Sequence, residues 1–474
     1  MGKVLCFVLF LIVQHSLYSQ LFLNNPTSKA GPSTPIILIH ADSLVGKQTS
    51  TGPLTYLLGK VSLSQGNVQV TCDEAIQNSE LNTVILKGNV VIIQGNGQIN
   101  APYVEYYGNS GIAVAPNGIR LNDKNSVLTA LYGEYSTQSY SAFFKNSVKI
   151  IDPKALIESN IAMYNRKSKI SIAIGNVVFE TDSVVLYSDS LYYNPVDKKS
   201  SAFGQVLLGA KYSKSLLEGD SIFYSISEQS SIVMGYPNAM YIDTTKDSKG
   251  NIDTLFITGD TLFGNRYNET DEVIAKGNAS AIRSTFFSIS DSLKIISFHL
   301  NDTLLSKFIG RPIIWYDSTQ LTGDSIVTTT HSNELELIKS FRNSFLLSKS
   351  NIEYIDRIDQ VKGDSISIVF KSDSLHSVYS DGNAQSLYYS YTDELPDGCA
   401  KNIADNINIQ FIENKPDVIN WEGGIRGEYI PEKFVETNPT ILNLQGFRVD
   451  YSKPKKYYFR TKFLSKHYTR EYKK

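Results

Sequence analysis

Apolar and polar residues alternate along most of this chain. In Val61-Ser62-Leu63, Val68-Gln69-Val70 and Val90-Val91-Ile92 the aliphatic residues fall at every second position, the period of a half-buried strand. No sustained helical spacing competes over the first half, so strands are predicted there. The strands recur. Gly59-Lys60-Val61-Ser62-Leu63 is followed by Gly88-Asn89-Val90-Val91-Ile92, Asn117-Gly118-Ile119-Arg120-Leu121 and Asn146-Ser147-Val148-Lys149-Ile150. Gly175-Asn176-Val177-Val178-Phe179 and Gly204-Gln205-Val206-Leu207-Leu208 continue the series, and the central aliphatic residues stand 29 apart. Tyr106, Tyr135, Tyr164 and Tyr193 keep the same step of 29. Two independent markers at one spacing define a repeat. The sequence therefore predicts an all-β, solenoid-like stack of strands. Each Gly-Asn pair is expected to form the tight turn entering a strand.

Beyond Val206 the period loosens. An Asp-Ser/Thr-Leu/Ile signature recurs at Asp189, Asp220, Asp260, Asp291, Asp324 and Asp364, with polar insertions where the step lengthens. Residues 35–210 read as the regular repeat domain and 211–392 as a second, more divergent one. From 393 to 474 prolines and glycines predict an irregular region, and its last stretch, Lys453 to Lys474, carries nine basic residues and one acid. At the other end, Lys3 precedes an apolar run from Val4 to Val13 and small Ser19 follows. That layout predicts a signal peptide over residues 1–19, too short in its apolar run for a membrane helix, then a linker over 20–34.

Composition narrows the chemistry. The 45 Lys+Arg against 47 Asp+Glu leave a net charge of -2, which argues against nucleic acid as a partner. Three Cys and six scattered His give little material for a metal site, and no metal or cofactor is expected. Cys72 and Cys399 specify no pairing by themselves. No phosphate-cradling loop, dinucleotide fingerprint or nucleophile elbow is present, so no catalytic residue is assigned and the chain is read as a non-enzyme. The repeated Asp residues are expected to bond their own turns, because a catalytic pair occurs once and these occur in every unit. The tyrosines are expected to pack on one another.

One stretch carries a resemblance. Gly59-Lys60-Val61-Ser62-Leu63-Ser64-Gln65-Gly66-Asn67-Val68-Gln69-Val70-Thr71-Cys72-Asp73, repeated from Gly88 to Gly95, resembles the OstA-like family. The resemblance implies an elongated β-jelly roll, open along one side, whose apolar interior takes acyl chains during lipopolysaccharide transport or outer-membrane assembly. It implies a periplasmic location, with lipopolysaccharide or a related lipid as ligand. Val61, Leu63, Val68, Val70, Val90, Ile92, Val148, Ile150, Val177, Phe179, Val206 and Leu208 are the expected groove residues. Strand addition at uncapped ends would join the chain to other envelope proteins or to a second copy. Lys453, Lys455, Lys456, Arg460, Lys462 and Lys466 are the expected contacts to an anionic surface. Two other readings fit the repeat, an exported β-helix enzyme or binding module acting on polysaccharide and a structural surface protein.

Overall fold

The computed structural model describes residues 35–454 apart from short stretches, the longest being 247–251 and 437–441. The signal peptide and linker expected before residue 35 lie outside the described residues. The described chain is almost wholly antiparallel β, with a helix at Glu432–Val435. It divides into two compact units. One holds the described residues up to Pro153 with Ile161–Lys167; the other holds Lys154–Asn160 and the chain from Ser168 onward.

In the first unit the strands Gly52–Gln65 and Val68–Asn78 are joined by Gly66-Asn67, and Thr83–Gln94 and Gly97–Tyr107 by Gly95-Asn96. Gly66 and Gly95 both sit at φ +58, where glycine has no steric penalty. This register aligns the alternating aliphatic residues. Leu63 faces Val70, Val70 faces Ile92, Ile92 faces Ile99, and the row continues through Leu121 and Leu128 to Ile150. Every member is buried. Opposed aliphatic pairs of this kind are the unit of sheet stabilisation.

The Gly-Asn pairs of the 29-residue series, unlike Gly66-Asn67 and Gly95-Asn96, are not turns. Gly88 and Asn89 lie in the middle of the strand Thr83–Gln94, at φ +69 and +45, and the register shifts between Lys87 and Val90. They form a β-bulge, which adds a residue and bends the strand. Asp260, Asp324 and Asp364 of the recurring series, and Asp73 before it, serve these bulges rather than their own turns. Asp73 accepts a hydrogen bond from Asn89 Nδ2 at 2.8 Å, Asp324 from Asn343 at 3.1 Å and Asp364 from Asn383 at 2.8 Å. A Cβ on Gly88 would collide with the Asp73 carboxylate, so glycine and aspartate are required together. The aspartate reaches across to the neighbouring strand because the bulge turns the asparagine amide toward it.

The second unit repeats the construction. A buried row runs from Ala173 through Leu191, Ile222, Leu262 and Leu293 to Phe308, with Ala202, Val233 and Ala275 on the strands between. Beyond it Ser340 and Ser380 interrupt Ile326, Ile366 and Ile407. Residues 395–431, read from sequence as irregular, form the strands Leu395–Ile412, Lys415–Glu422 and Arg426–Pro431. Their prolines stand near strand ends, where a missing ladder N–H is tolerated.

Simple alternation fails in two places. Leu207, Leu216, Met240 and Ile242 form a buried cluster with Tyr187 and Phe256, although Leu207 alternates with Val206 and Leu208. Farther on, Val435 and Leu444 pack over Phe345, Leu347, Leu387, Tyr389 and Cys399. Residues 432–436 and 442–450, which carry them, lie across the sheet as a strap. Gln320 holds it by donating to the Arg448 carbonyl at 2.9 Å and accepting from the Asp450 N–H at 2.9 Å. Gln360 accepts from the Leu444 N–H at 2.9 Å, and Arg357 forms a bidentate pair with Glu432.

Candidate functional site

The first unit's interior combines the aliphatic row with a polar ladder. Tyr106 donates to Gln65, Tyr135 to Gln94 at 2.9 Å and Tyr164 to Asp123 at 2.9 Å, each partner lying 41 residues back. Tyr106 and Gln65 stand on strands separated in the sheet by two others, so the bond is possible only because the sheet rolls and its inner faces meet. Tyr193, the fourth tyrosine of the series, belongs to the second unit. The tyrosines were expected to pack on one another; in the first unit they act as cross-wall hydrogen-bond donors. Burial pushes all three phenols above their ordinary pKa, and Tyr164 is pushed further by its Asp123 partner.

Arg166 closes the ladder. Its guanidinium donates to the Tyr135 hydroxyl at 3.1 Å and the Gln94 carbonyl at 3.3 Å, and stands 3.7 Å from the Asp123 carboxylate. The Arg166 and Asp123 side chains keep only 11% and 2% of their exposure. Gly97 makes room, because any Cβ there would meet the guanidinium. Gln65, Gln94 and Asp123 stand 29 residues apart, the step of the repeat.

Val61, Leu63, Val68, Val70, Val90, Ile92, Val148 and Ile150 are all buried in the first unit, and Val177 and Val206 in the second. Phe179 and Leu208 are half-buried and stand either side of Leu186. The void beside Leu63, Val68 and Val84 holds about 20 Å³, and a more open hollow of about 700 Å³ lies beside Val90, Ala101 and Ile119. Cys72 and Cys399 are free buried thiols, both pushed up to about 11 by burial. Of the basic surface residues, Lys453 lies 4.0 Å over the Phe287 ring. Lys455, Lys456, Arg460, Lys462 and Lys466 lie outside the described residues.

Sequence reasoning missed a roomy cavity in the second unit. A cavity of about 940 Å³ is bounded by Leu321, Ile338, Leu346, Val361, Ile368 and Val378, with Tyr316, Tyr388 and Tyr391 also in its wall. Asp359 lines it too, and accepts a hydrogen bond from the Tyr389 N–H at 2.9 Å. Burial pushes the Asp359 carboxyl up to about 7 from 3.8, the one backbone donor only partly opposing it. No periodic signal announces this site, because it depends on how strands distant in sequence curve.

A carboxyl whose folded pKa is raised favours folding most when protonated. This contribution is complete below pH 3.8, is lost as pH rises toward about 7 and is constant above. The melting temperature of the wild-type chain is therefore expected to fall relative to that of Asp359→Asn across this window. Parallel pH profiles for the two chains would contradict the assignment.

These features define an all-β repeat protein with an apolar, cross-bridged interior. Residues 33–173 match the family described as OstA-like protein, to which that segment is similar. No curated protein matches the chain. A similar solved structure is that of LptH, described as the LptA-homologous periplasmic component of the conserved lipopolysaccharide transport device from Pseudomonas aeruginosa. It is 14% identical over 26% of this chain and 79% of its own, with a TM-score of 0.21. No helix among the described residues is long and apolar enough to cross a membrane, which says nothing of a β-barrel.

Proposed function

We propose that this protein is an exported envelope component that carries acyl chains along an apolar β interior, in lipopolysaccharide transport or outer-membrane assembly. The observation that carries this reading is the unbroken aliphatic row from Leu63 to Ile150 inside the OstA-like segment. Each methylene moved from water into such an interior gains about 0.8 kcal/mol. A chain enters by parting walls that the tyrosine ladder otherwise latches. Energy for directed transport comes from a partner. The strand Ser43–Thr49 is exposed along nearly its whole length, with Leu44 and Val45 more than half exposed, and suits strand addition by an envelope partner or a second copy.

Binding of purified lipopolysaccharide tests the reading. Val90→Asp and Val177→Asp place a carboxylate among apolar walls and are expected to weaken binding about tenfold or more in chains that retain the β spectrum. Gln69→Asp, at an exposed position on the other strand face, is expected to bind as wild type. Equal effects at both kinds of position would overturn the assignment of the interior.

A further inference from the structure

The cavity of the second unit combines room with a charge. Five formally charged residues line it: Asp317, Lys349, Glu353, Asp359 and Lys415. Asp317, Lys349, Glu353 and Lys415 are exposed, and their two positive and two negative charges cancel. Asp359 is the one drawn back from solvent, on the strand Ile358–Lys371 beside Val361. Its neighbour Gln360 is committed to the strap, with Nε2 on Asn443 at 2.6 Å and Oε1 on the Leu444 N–H. That bonding fixes the strand, and strand alternation then sends Asp359 to the opposite face, the cavity side. Its Oδ1 takes the Tyr389 N–H, and a carboxylate retains further acceptor capacity.

An alkyl chain against aliphatic walls, a net negative lining and tyrosine faces beside a carboxylate together define a ligand class. We propose that this cavity binds a cationic amphiphile, a long alkyl chain bearing an ammonium group that pairs with Asp359. The chain lies along Leu346, Val361 and Ile368, and the ammonium reaches the carboxylate with the Tyr388 and Tyr391 rings nearby. An anionic chain end is rejected by the same carboxylate. This site lies within the second unit and stands whether or not the first unit carries acyl chains.

Tyr388 on the adjoining strand and Tyr391 share the cavity lining with Asp359, and Asp317, Lys349, Glu353 and Lys415 stand at its exposed margin. Burial raises Tyr388 and Tyr389 above their ordinary value, so they stay neutral below pH 9. The pH dependence of amine binding between pH 5.5 and 8 is thus that of Asp359 itself, set by its value near 7.

Calorimetric titration of the delipidated full chain with dodecylamine, dodecanol and dodecanoate, below their micellar concentrations at pH 8, tests the site. Dodecylamine is expected to bind about tenfold more tightly than dodecanol, the order of one charge-assisted hydrogen bond, and dodecanoate most weakly. Asp359→Asn keeps an acceptor for the Tyr389 N–H, and is expected to erase the amine preference and strengthen dodecanoate. Lowering the pH to 5.5 is expected to reduce the preference in the wild type and leave the variant unchanged. Dodecanoate binding as tightly as dodecylamine, an amine preference surviving in Asp359→Asn, or no binding of any of the three would overturn the proposal. A circular dichroism spectrum matching wild type establishes that the variant is folded.

Discussion

An Arg166→Met chain is expected to lose about 3–5 kcal/mol of stability in its first unit, the cost of leaving a buried carboxylate without its partner. Asp123 retains 2% of its side-chain exposure and cannot turn to solvent. The Tyr164 hydroxyl still donates to it, but a neutral donor does not replace a guanidinium. Tyr135 and the Gln94 carbonyl lose a donor at the same time. Adding Asp123→Asn removes the stranded charge and is expected to restore about half of the loss. Denaturant unfolding, with hydrogen exchange followed in the strands Gly97–Tyr107 and Ile119–Asp123, reads both effects. A loss under about 1 kcal/mol, the scale of a surface pair, would show that the pair is not part of the latch.

Truncation after Pro431 is the second large effect. It uncovers Phe345, Leu347, Leu387, Tyr389 and Cys399 and strips Arg357 of Glu432. Burying a side chain such as Leu or Phe contributes about 1.5–3 kcal/mol, so several are lost together. The truncated chain is expected to aggregate or to melt far below wild type. Truncation after Pro454 keeps the strap and is expected to leave the melting temperature unchanged while weakening adhesion to anionic vesicles, most at low salt, because it removes eight basic residues. If both truncations melt alike, the strap is not structural. If the shorter deletion leaves vesicle binding unchanged at low ionic strength, the basic tail has no surface role.

The parts legible in the sequence were those that repeat. Val61, Val90 and Val148 could be placed on a buried face because strand alternation and a constant step survive translation into structure. The Gly-Asn pairs were misread because the same residue types serve turns and bulges, and only the partner strand distinguishes them. The aspartates followed that error. They bond the bulge of the next strand, a contact fixed by register rather than by local sequence. Gln65, Gln94 and Asp123 keep the repeat step, yet their role appears only once the sheet rolls and brings each to a tyrosine. The strap and the Asp359 cavity had no periodic signal. Gln320 and Gln360 each meet backbone more than 80 residues away, and such contacts have no signature in a single sequence.

Site-specific photo-crosslinking in intact cells tests the central claim most directly. A photoreactive residue at Val90 or Ile92, on the interior row, is expected to capture lipopolysaccharide, and the same residue at exposed Gln69 is not. Capture at Gln69 equal to that at Val90, or no lipid captured from either interior position, would contradict carriage of acyl chains inside the β stack.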